Sequence, residues 1–296
     1  MNLPWLDKEG AWERFMVNQE LSDTLFRKFS ELIYETAGIN IHEGKKPLLQ
    51  ARLSKRLRAT GIKSFEEYYR YVTSPQNFAE FINFIDAIST NLTYFFREEQ
   101  HFIFLEEIAL PEILQRKEKE HDRRIRMWSA ACSTGEEPYS IAMCVLEYLS
   151  KKPVKPSWDF KILATDISTR VLRLAISGVY SEERVQKVPQ VLRQKYFEKI
   201  SQNDEHVYKV REALKDVVVF RRLNLKEPYP FKGSFEVIFC RNVMIYFDKP
   251  TQQDIIIRMS HHLSPGGYLF VGHSESLAGL KHDLIYVRPA VYRKKG

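Results

Sequence analysis

The stretch from Ile125 to Ser140, IRMWSAACSTGEEPYS, constrains the fold of this chain more than any other. A short apolar run, Ile125 to Trp128, leads into the small residues Ser129 to Gly135, and Pro138 suits the first turn of a helix. This order predicts a buried strand, a tight turn where a ligand can approach the backbone, and a helix. An ordinary strand-to-helix connection would look the same, since one glycine falls short of the dinucleotide-binding fingerprint.

Strands and helices alternate along the chain after this stretch. Further strands are predicted at 160–165, 217–220, 235–240 and 268–272, and helices at 139–149, 168–177 and 251–263. This order predicts an α/β fold in which a mostly parallel sheet carries helices on both faces. Between residues 178 and 216 the alternation stops, and two strand-like segments flank the turn-forming sequence SQNDE. We therefore expect a small inserted β-subdomain at about 178–216.

The apolar spacing is helical up to about Phe96. It predicts four helices, at 21–36, 47–59, 64–72 and 77–89, with Ser64 as an N-cap and with glycines ending the first two. We expect an all-α N-terminal domain over residues 1–96. Residues 97–124 hold one more helix and the charged run QRKEKEHDRR, and we expect them to link this domain to the α/β domain over residues 125–296.

The composition limits the class of protein and its partners. Hydrophobic residues make up 44% of the chain and charged residues 28%, as in folded globular proteins. No apolar run reaches the roughly 18 residues of a membrane span, and the N-terminus lacks the form of a signal peptide, so we expect a cytoplasmic monomer without membrane insertion. Three irregularly spaced cysteines argue against a structural zinc site, and we expect no metal. The net charge of +7 predicts an anionic partner, which is nucleic acid, a membrane surface or an acidic protein.

Polar residues follow the predicted parallel strands, where ligands bind in such sheets. They are the segment Ser129 to Glu137, then Asp166, then Asn224 with Leu225, then Arg241 with Asn242. The carboxylate of Asp166 can accept both hydroxyls of a ribose, or it can cap the helix that follows. The amide of Asn224 suits an adenine edge, or it can form a turn.

Five motifs in order resemble the bacterial chemotaxis receptor methyltransferases of the CheR family. They are TNLTYFFRE (90–98), WSAACSTGEEPYSIAM (128–143), ATDIS (164–168), CRNVMIYFD (240–248) and PGGYLFVGHSESL (265–277). The resemblance covers nearly the whole chain. It implies an all-α N-terminal domain, a Rossmann-like S-adenosylmethionine-dependent methyltransferase domain and an inserted β-subdomain. The implied activity is methyl transfer to glutamate side chains of chemoreceptors, with S-adenosylhomocysteine as the product, which sets sensory adaptation.

The same resemblance implies roles for individual residues. Cofactor contacts are implied for Asn91, Thr93, Arg97, the loop from Ala130 to Glu137, Asp166, Asn224, Leu225, Arg241 and Asn242. Within that loop we choose Glu137 over Glu136 as the acid that meets the cofactor. Tyr246 is implied to lie near the transferred methyl group.

The chemistry of the implied reaction suits these residues. A glutamate is ionised near pH 7, its reference pKa being about 4.3, so it attacks as a carboxylate without a general base. None of the eight histidines has to be catalytic, and we expect a structural role for His273. Arg97 or Arg241 can fix the incoming carboxylate, and Tyr246 can donate a hydrogen bond to it. A strong ion pair to the attacking oxygen would weaken that nucleophile, so we expect positioning through the other oxygen.

Two further surfaces have open interpretations. Arg52 and Arg56 border the apolar stripe of the second helix, where they are either solvated charges or contacts for acidic receptor helices. In relatives the inserted β-subdomain can dock a C-terminal receptor peptide. This chain carries SQNDE where peptide-binding relatives tend to have glycines, so use of such a peptide stays open.

Three other functions compete with receptor methylation. A nucleic-acid methyltransferase would share the cofactor and the basic charge, but amino-methylating enzymes need a polar-Pro-Pro-aromatic element where this chain has Arg241 to Met244, and we expect no nucleic-acid partner. A non-catalytic scaffold would keep the fold without binding the cofactor. A nicotinamide dehydrogenase is disfavoured by the single glycine and by an acid that lies later than the usual offset of about 20 residues.

Overall fold

The computed structural model describes residues 20–151, 158–202 and 205–296. They divide into two compact units, one within Met1–Thr90 and one over Asn91–Gly296. The domain boundaries expected after residues 96 and 124 stay predictions. Among the described residues, none of the helices has both the length and the apolar character needed to cross a membrane.

The first unit is helical. Its α-helices are α1 (Asp23–Ala37), α2 (Lys46–Thr60), α3 (Phe65–Thr73) and α4 (Phe78–Ile88), with short 3-10 turns at Glu43–Lys45 and Pro75–Asn77. Ser64 caps α3 by accepting from the N–H of Glu67, as predicted. Gly38 and Gly61 end α1 and α2 at φ of 74° and 73°, where a β-carbon would be strained. The four predicted helices are therefore confirmed.

An ion pair between the half-buried Arg56 and the buried Glu80 joins α2 to α4. The guanidinium of Arg56 donates to both carboxylate oxygens of Glu80, at 2.9 and 2.6 Å, and the Tyr68 hydroxyl donates to the same carboxylate at 2.7 Å. Arg52 donates to the carbonyl of Ile88 and, at 2.8 Å, to the hydroxyl of Thr90. Both arginines thus stabilise the first unit from within.

Replacing Glu80 with glutamine is expected to destabilise the first unit by about 2 kcal/mol at pH 7, because Arg56 loses its charged partner. Burial alone would raise the pKa of Glu80, but hydrogen bonds from Arg56, Tyr68 and Asn83 hold it below its ordinary value. A lowered pKa stabilises the fold above the unfolded value of about 4.3, and this contribution is lost as the pH falls through the folded value. Thermal unfolding measured from pH 7 to pH 3.5 should therefore show that the difference in melting temperature between Glu80→Gln and wild type becomes smaller below about pH 4.

The matched control for that experiment is Glu66→Gln, which removes an exposed charge from α3. It should change the melting temperature little at any pH. If the difference in melting temperature between Glu80→Gln and wild type stayed constant down to pH 3.5, the stabilising role of the ionised Glu80 would be contradicted.

In the second unit, a continuous helical run follows residues 91–99. It consists of α5 (Gln100–Phe104), a π-helical turn (Leu105–Ala109) and α6 (Leu110–Lys119). The remaining helices are α7 (Glu136–Ser150), α8 (Thr169–Ser177), α9 (Glu182–Val185), α10 (Gln190–Tyr196), α11 (Glu212–Lys215) and α12 (Lys249–His262). The strands are β1 (Arg124–Ala130), β2 (Asp159–Asp166), β3 (Val179–Ser181), β4 (Phe197–Gln202), β5 (Glu205–Val210), β6 (Val218–Arg222), β7 (Phe235–Cys240), β8 (Leu263–Val271), β9 (Leu284–Arg288) and β10 (Val291–Lys294).

Seven strands form one sheet in the order β6-β2-β1-β7-β8-β10-β9. The first five of these are parallel, while β10 and β9 are antiparallel. Alternate residues of β1 enter different cores, with Ile125 and Met127 on one face of the sheet and Trp128 and Ala130 on the other. The predicted α/β fold with a mostly parallel sheet is confirmed.

The C-terminal part of this sheet differs from the prediction. The predicted helix at 251–263 and strand at 268–272 leave Pro265 to Gly267 between them, but these residues lie inside β8, where the pairing with β7 shifts register after Phe235. That shift admits a proline and two glycines into the strand. The strands β10 and β9, which end the sheet on this side with β9 at its edge, were not predicted.

The inserted β-subdomain is a separate three-stranded sheet in the order β3-β5-β4. Strands β4 and β5 form the predicted antiparallel hairpin, with Phe197 opposite Val210. The middle of the SQNDE turn, residues 203 and 204, lies outside the described residues.

Candidate functional site

The turn after β1 has an unusual backbone. Ala131, Ser133 and Gly135 have φ of 58°, 50° and 95°, and only glycine adopts this left-handed region without cost. Two hydrogen bonds to the tip of β2 hold the turn. The N–H of Cys132 donates to the Thr165 carbonyl at 2.9 Å, and the N–H of Ser133 donates to the Asp166 carboxylate at 2.8 Å. Such backbone conformations cluster at ligand-binding sites, so this turn is a candidate site.

Asp166 is a buried acid at this edge of the sheet. Its second carboxylate oxygen accepts from the N–H of Ser168 at 2.9 Å. The N-cap of α8 is Ser168 itself, which accepts from the N–H of Val171. Each carboxylate oxygen can accept more than one hydrogen bond, so Asp166 can shape the turn and also receive a hydroxyl of a ligand.

Asn91 lies beside the same turn. Its carbonyl accepts from the Ser133 hydroxyl at 3.0 Å. Its side-chain nitrogen is buried and has no hydrogen-bond partner among the described residues. A buried donor without a partner costs free energy, which a bound ligand recovers by accepting from it.

The adjacent acids Glu136 and Glu137 have different partners. Glu136 is fully buried and pairs with Arg184. Glu137 accepts from the Ser129 hydroxyl at 2.7 Å and from Arg241 at 3.2 Å. Burial raises the pKa of both carboxyls, although their arginine partners oppose it. The side chain of Glu137 is 13% exposed and that of Glu136 is 0% exposed, so a ligand can reach Glu137 and not Glu136.

Arg241 connects this acid to the segment around Arg97. Its guanidinium lies 3.2 Å from Glu98 and also donates to the carbonyl of Arg97. Glu98 further accepts from the Asn242 amide and from the N–H of His273, each at 3.1 Å. Burial alone would raise the pKa of Glu98, but Arg241 holds it below its ordinary value. The segment 96–98 is thereby fixed against the end of β7.

The segment 96–98 is itself constrained. Phe96 and Glu98 have φ of 54° and 59°. The N–H of Phe96 donates to the Ser140 hydroxyl at 3.0 Å. The side chain of Arg97 donates to the Leu92 carbonyl at 2.9 Å and lies near the ring of Tyr94. The half-buried Arg97 thus sits on a backbone that is held by hydrogen bonds to Ser140 and Arg241.

One carboxylate shapes the turn after β7. Glu275 accepts from the N–H groups of Gly272, Met244, Asn242 and Ile245, at 2.6, 2.7, 2.8 and 3.3 Å. Asn242 has a φ of 58°. The 3-10 turn Met244–Tyr246 that follows brings the half-buried Tyr246 to this edge of the sheet.

Asn224, Leu225 and Thr93 are three further residues that were predicted to bind the cofactor. Asn224 donates to Glu227 and accepts from the N–H of Lys226, both at 3.1 Å, so it forms a turn. Leu225 is buried, and its carbonyl accepts from Arg258 at 2.7 Å. Thr93 is half-buried. Sequence reasoning missed the roles of Glu98, Ser129, Ser133 and Glu275, although all four lie inside the motifs quoted above.

Within the described residues, one group of side chains could hold a metal ion. Ligand atoms of Glu98, His101 and His273 lie within 4.8 Å of one another. Glu98, however, is already bonded to Arg241, Asn242 and His273. Burial, with Arg241 nearby, lowers the pKa of His101 to about 3, so its ring is neutral. A second cation beside Arg241 would be repelled, and the expected absence of a metal stays a prediction.

The fold and this site fit the class of Rossmann-like S-adenosylmethionine-dependent methyltransferases. The turn has a single glycine and no pyrophosphate cradle, which suits a methionyl group. The donor of Asn91, the carboxylate of Glu137 and the carboxylate of Asp166 suit the polar groups of that cofactor.

Comparison with known proteins identifies the family. Residues 91–292 match the family model described as CheR methyltransferase, SAM binding domain, and residues 24–89 match the one described as CheR methyltransferase, all-alpha domain. The chemotaxis protein methyltransferase of Borreliella burgdorferi is 42% identical over 282 residues, covering 95% of this chain and 98% of that protein. Those of Salmonella typhimurium and Escherichia coli are 42% and 41% identical over 273 residues, covering 92% of this chain and 90% and 91% of those proteins.

The chain belongs to the CheR methyltransferase family. It is an S-adenosylmethionine-dependent methyltransferase of chemotaxis. The family, the enzyme class and the cofactor predicted from the motifs are confirmed.

Proposed function

We propose that this enzyme methylates glutamate side chains on the cytoplasmic helical domain of chemoreceptors and so sets sensory adaptation. The observation that carries this proposal is the chain of contacts from Arg97 through Arg241 to Glu137. It joins an arginine suited to a substrate carboxylate to an acid suited to the cofactor ammonium. The product is a methyl ester, and S-adenosylhomocysteine is released.

The cofactor-binding residues in this proposal are Asn91, Thr93, Arg97, Ala130, Glu137, Asp166, Asn224, Leu225, Arg241 and Asn242. Arg97 and Tyr246 are the catalytic residues. The guanidinium of Arg241 is 1% exposed and paired with two acids, so it supports the cofactor mainly by holding Glu137.

S-adenosylmethionine would be held by residues that include Asn91, Asp166 and Glu137, and it would supply an electrophilic methyl group to a receptor carboxylate, with S-adenosylhomocysteine as the leaving group and no proton transfer. Arg97 and Tyr246 orient the carboxylate through its non-attacking oxygen. Because the nucleophile is already ionised near pH 7, orientation provides most of the rate enhancement asked of the protein.

Receptor contact by Arg52 and Arg56 is also part of the proposal. Both side chains have internal partners, so loss of methylation alone would not separate docking from stability. The variants Arg52→Gln and Arg56→Gln should therefore be compared for methylation rate, melting temperature and S-adenosylhomocysteine affinity together. A docking role predicts a higher KM for receptor at unchanged cofactor affinity.

In this function the enzyme is a cytoplasmic monomer that is recruited to membrane receptor arrays. A receptor C-terminal peptide is a candidate ligand of the β-subdomain. The decisive experiment incubates the protein with methyl-labelled cofactor and host membranes. We expect label on receptors as an alkali-labile ester. Label on nucleic acid instead would overturn the proposed function.

Replacing Asp166 with asparagine is expected to weaken S-adenosylhomocysteine binding by about tenfold, because the charged acceptor is lost and the hydrogen bond to Ser133 weakens. Isothermal titration of the product measures this directly. Asp283→Asn, which changes an exposed acid in the same unit, serves as the control. Equal affinities for Asp166→Asn and wild type would remove Asp166 from the cofactor site.

A further inference from the structure

The inserted β-subdomain begins with two side chains that reach the turn after β1. The hydroxyl of Tyr180 in β3 donates to the carbonyl of Thr134 at 2.7 Å. Arg184 in α9 donates to the hydroxyl of the same threonine at 2.6 Å and pairs with Glu136. Tyr180 therefore holds the backbone of Thr134. Arg184 holds the hydroxyl of the same residue and the carboxylate of Glu136.

This turn depends on partners outside its own segment. Ala131 and Ser133 have left-handed backbones, which cost free energy unless surrounding contacts maintain them. A β-carbon placed on Gly135 would lie 2.9 Å from the Tyr180 hydroxyl and 2.8 Å from the β-carbon of Ala175. The turn is thus packed directly against the start of the inserted segment.

Arg184 also gives one of the two adjacent acids, Glu136, an arginine partner of its own. Glu136 is fully buried, and a buried carboxylate needs a cation and hydrogen bonds to remain charged. Arg184 provides the cation, and the Thr134 hydroxyl donates to Glu136 at 2.7 Å. Of the two adjacent acids, Arg241 contacts Glu137 and Arg184 contacts Glu136. Without Arg184, the buried Glu136 would lose its cation.

Tyr180 reaches the catalytic segment as well. Its ring packs edge-on against Phe95 at 5.0 Å, two residues before Arg97. Burial raises the pKa of Tyr180 well above its ordinary value, so its phenol remains a hydrogen-bond donor. One side chain therefore contacts both the turn and the segment that carries Arg97.

We propose that Tyr180 and Arg184 are positioning residues for the cofactor: the start of the inserted subdomain holds Thr134 and Glu136 so that Glu137 faces the cofactor ammonium. This inference rests on the cofactor site proposed above. It assigns to the subdomain a role in cofactor affinity that is independent of any receptor peptide.

The test measures S-adenosylhomocysteine affinity by isothermal titration of the full chain, without receptor. Tyr180→Phe removes one hydroxyl and should raise Kd about fivefold, and Arg184→Met should raise it about tenfold. Arg184→Lys, which keeps the charge, should recover part of the loss. With receptor membranes, both variants should raise KM for S-adenosylmethionine and change kcat less than about twofold. The reason is that the contacts of Tyr180 and Arg184 with the turn are the same before and during methyl transfer.

Two control variants come from the same subdomain. Tyr196→Phe removes a hydroxyl that donates to Glu147 at 2.6 Å, away from the turn. Arg193→Met removes a guanidinium that lies near the ring of Tyr208. Both should bind the product like wild type.

Several outcomes would overturn the inference. They are a Kd within twofold of wild type for both Tyr180→Phe and Arg184→Met, an equal loss in the two control variants, or a fall in kcat with KM unchanged. Those results would leave the proposed function intact. A wild-type protein without affinity for S-adenosylhomocysteine would overturn the proposed cofactor site and this inference together.

Discussion

Replacing Arg97 with alanine is expected to lower kcat for receptor methylation by about two orders of magnitude while the protein stays folded. The backbone around Arg97 is held by bonds that do not involve its side chain, from Phe96 to Ser140 and from Arg241 to the Arg97 carbonyl. Alanine therefore removes the guanidinium without releasing the segment. Steady-state rates with receptor membranes and labelled cofactor measure the loss.

Companion variants show whether Arg97 acts by orienting the carboxylate. Arg97→Lys keeps the charge but loses the planar two-point geometry, so it should recover only part of the rate. Tyr246→Phe should lower kcat about tenfold, because one hydrogen bond is lost in the transition state. Arg173→Ala, at an exposed position of α8, should turn over like wild type. Unchanged turnover in both Arg97→Ala and Tyr246→Phe would eliminate the proposed orientation.

Replacing Arg241 with methionine is expected to destabilise the second unit by about 3 to 5 kcal/mol, because it leaves two buried acids without their cation. Both acids are largely buried, with Glu98 12% and Glu137 13% exposed. The Arg97 carbonyl loses its donor in the same variant. For a unit of this size the melting temperature should fall by roughly 10 °C, and cofactor affinity should fall with it. Thermal unfolding and titration with S-adenosylhomocysteine measure the two effects.

The surface pair of Arg293 and Glu112 offers a matched comparison. Its groups lie 3.1 Å apart, but their side chains are 40% and 43% exposed. Arg293→Met makes the same chemical change and should cost less than about 1 kcal/mol. Equal losses in the two variants would show that burial does not set the contribution of Arg241.

Local patterns in the sequence predicted most of the elements but not the whole sheet. The helices of the first unit carry caps and apolar spacing within their own segments, which is why Ser64 and Gly61 marked real ends. Strand β9 has one buried residue, Leu284, followed by four that are exposed or half-buried. Such an edge strand lacks the alternation that identifies a strand, and its pairing with β10 fixes it instead.

The site was predictable where topology alone decides it. Asp166 ends β2 and Arg241 follows β7, and the carboxyl ends of parallel strands share one edge of the sheet. The partners of these residues were not predictable, since Glu98 meets Arg241 across more than a hundred positions of sequence. The left-handed backbone at Ala131 and Ser133 was also hidden, because neither residue type signals it.

The carboxylate of Glu275 has a consequence for which side chains of the turn after β7 can vary. Glu275 accepts hydrogen bonds from main-chain N–H groups. The path of the turn after β7 therefore does not depend on the identity of its exposed side chains. Ile245, in that turn and 53% exposed, can therefore be exchanged without altering the path of the chain. A designed library at Ile245 can vary the surface beside Tyr246, the proposed catalytic residue, while the backbone of the turn keeps its path.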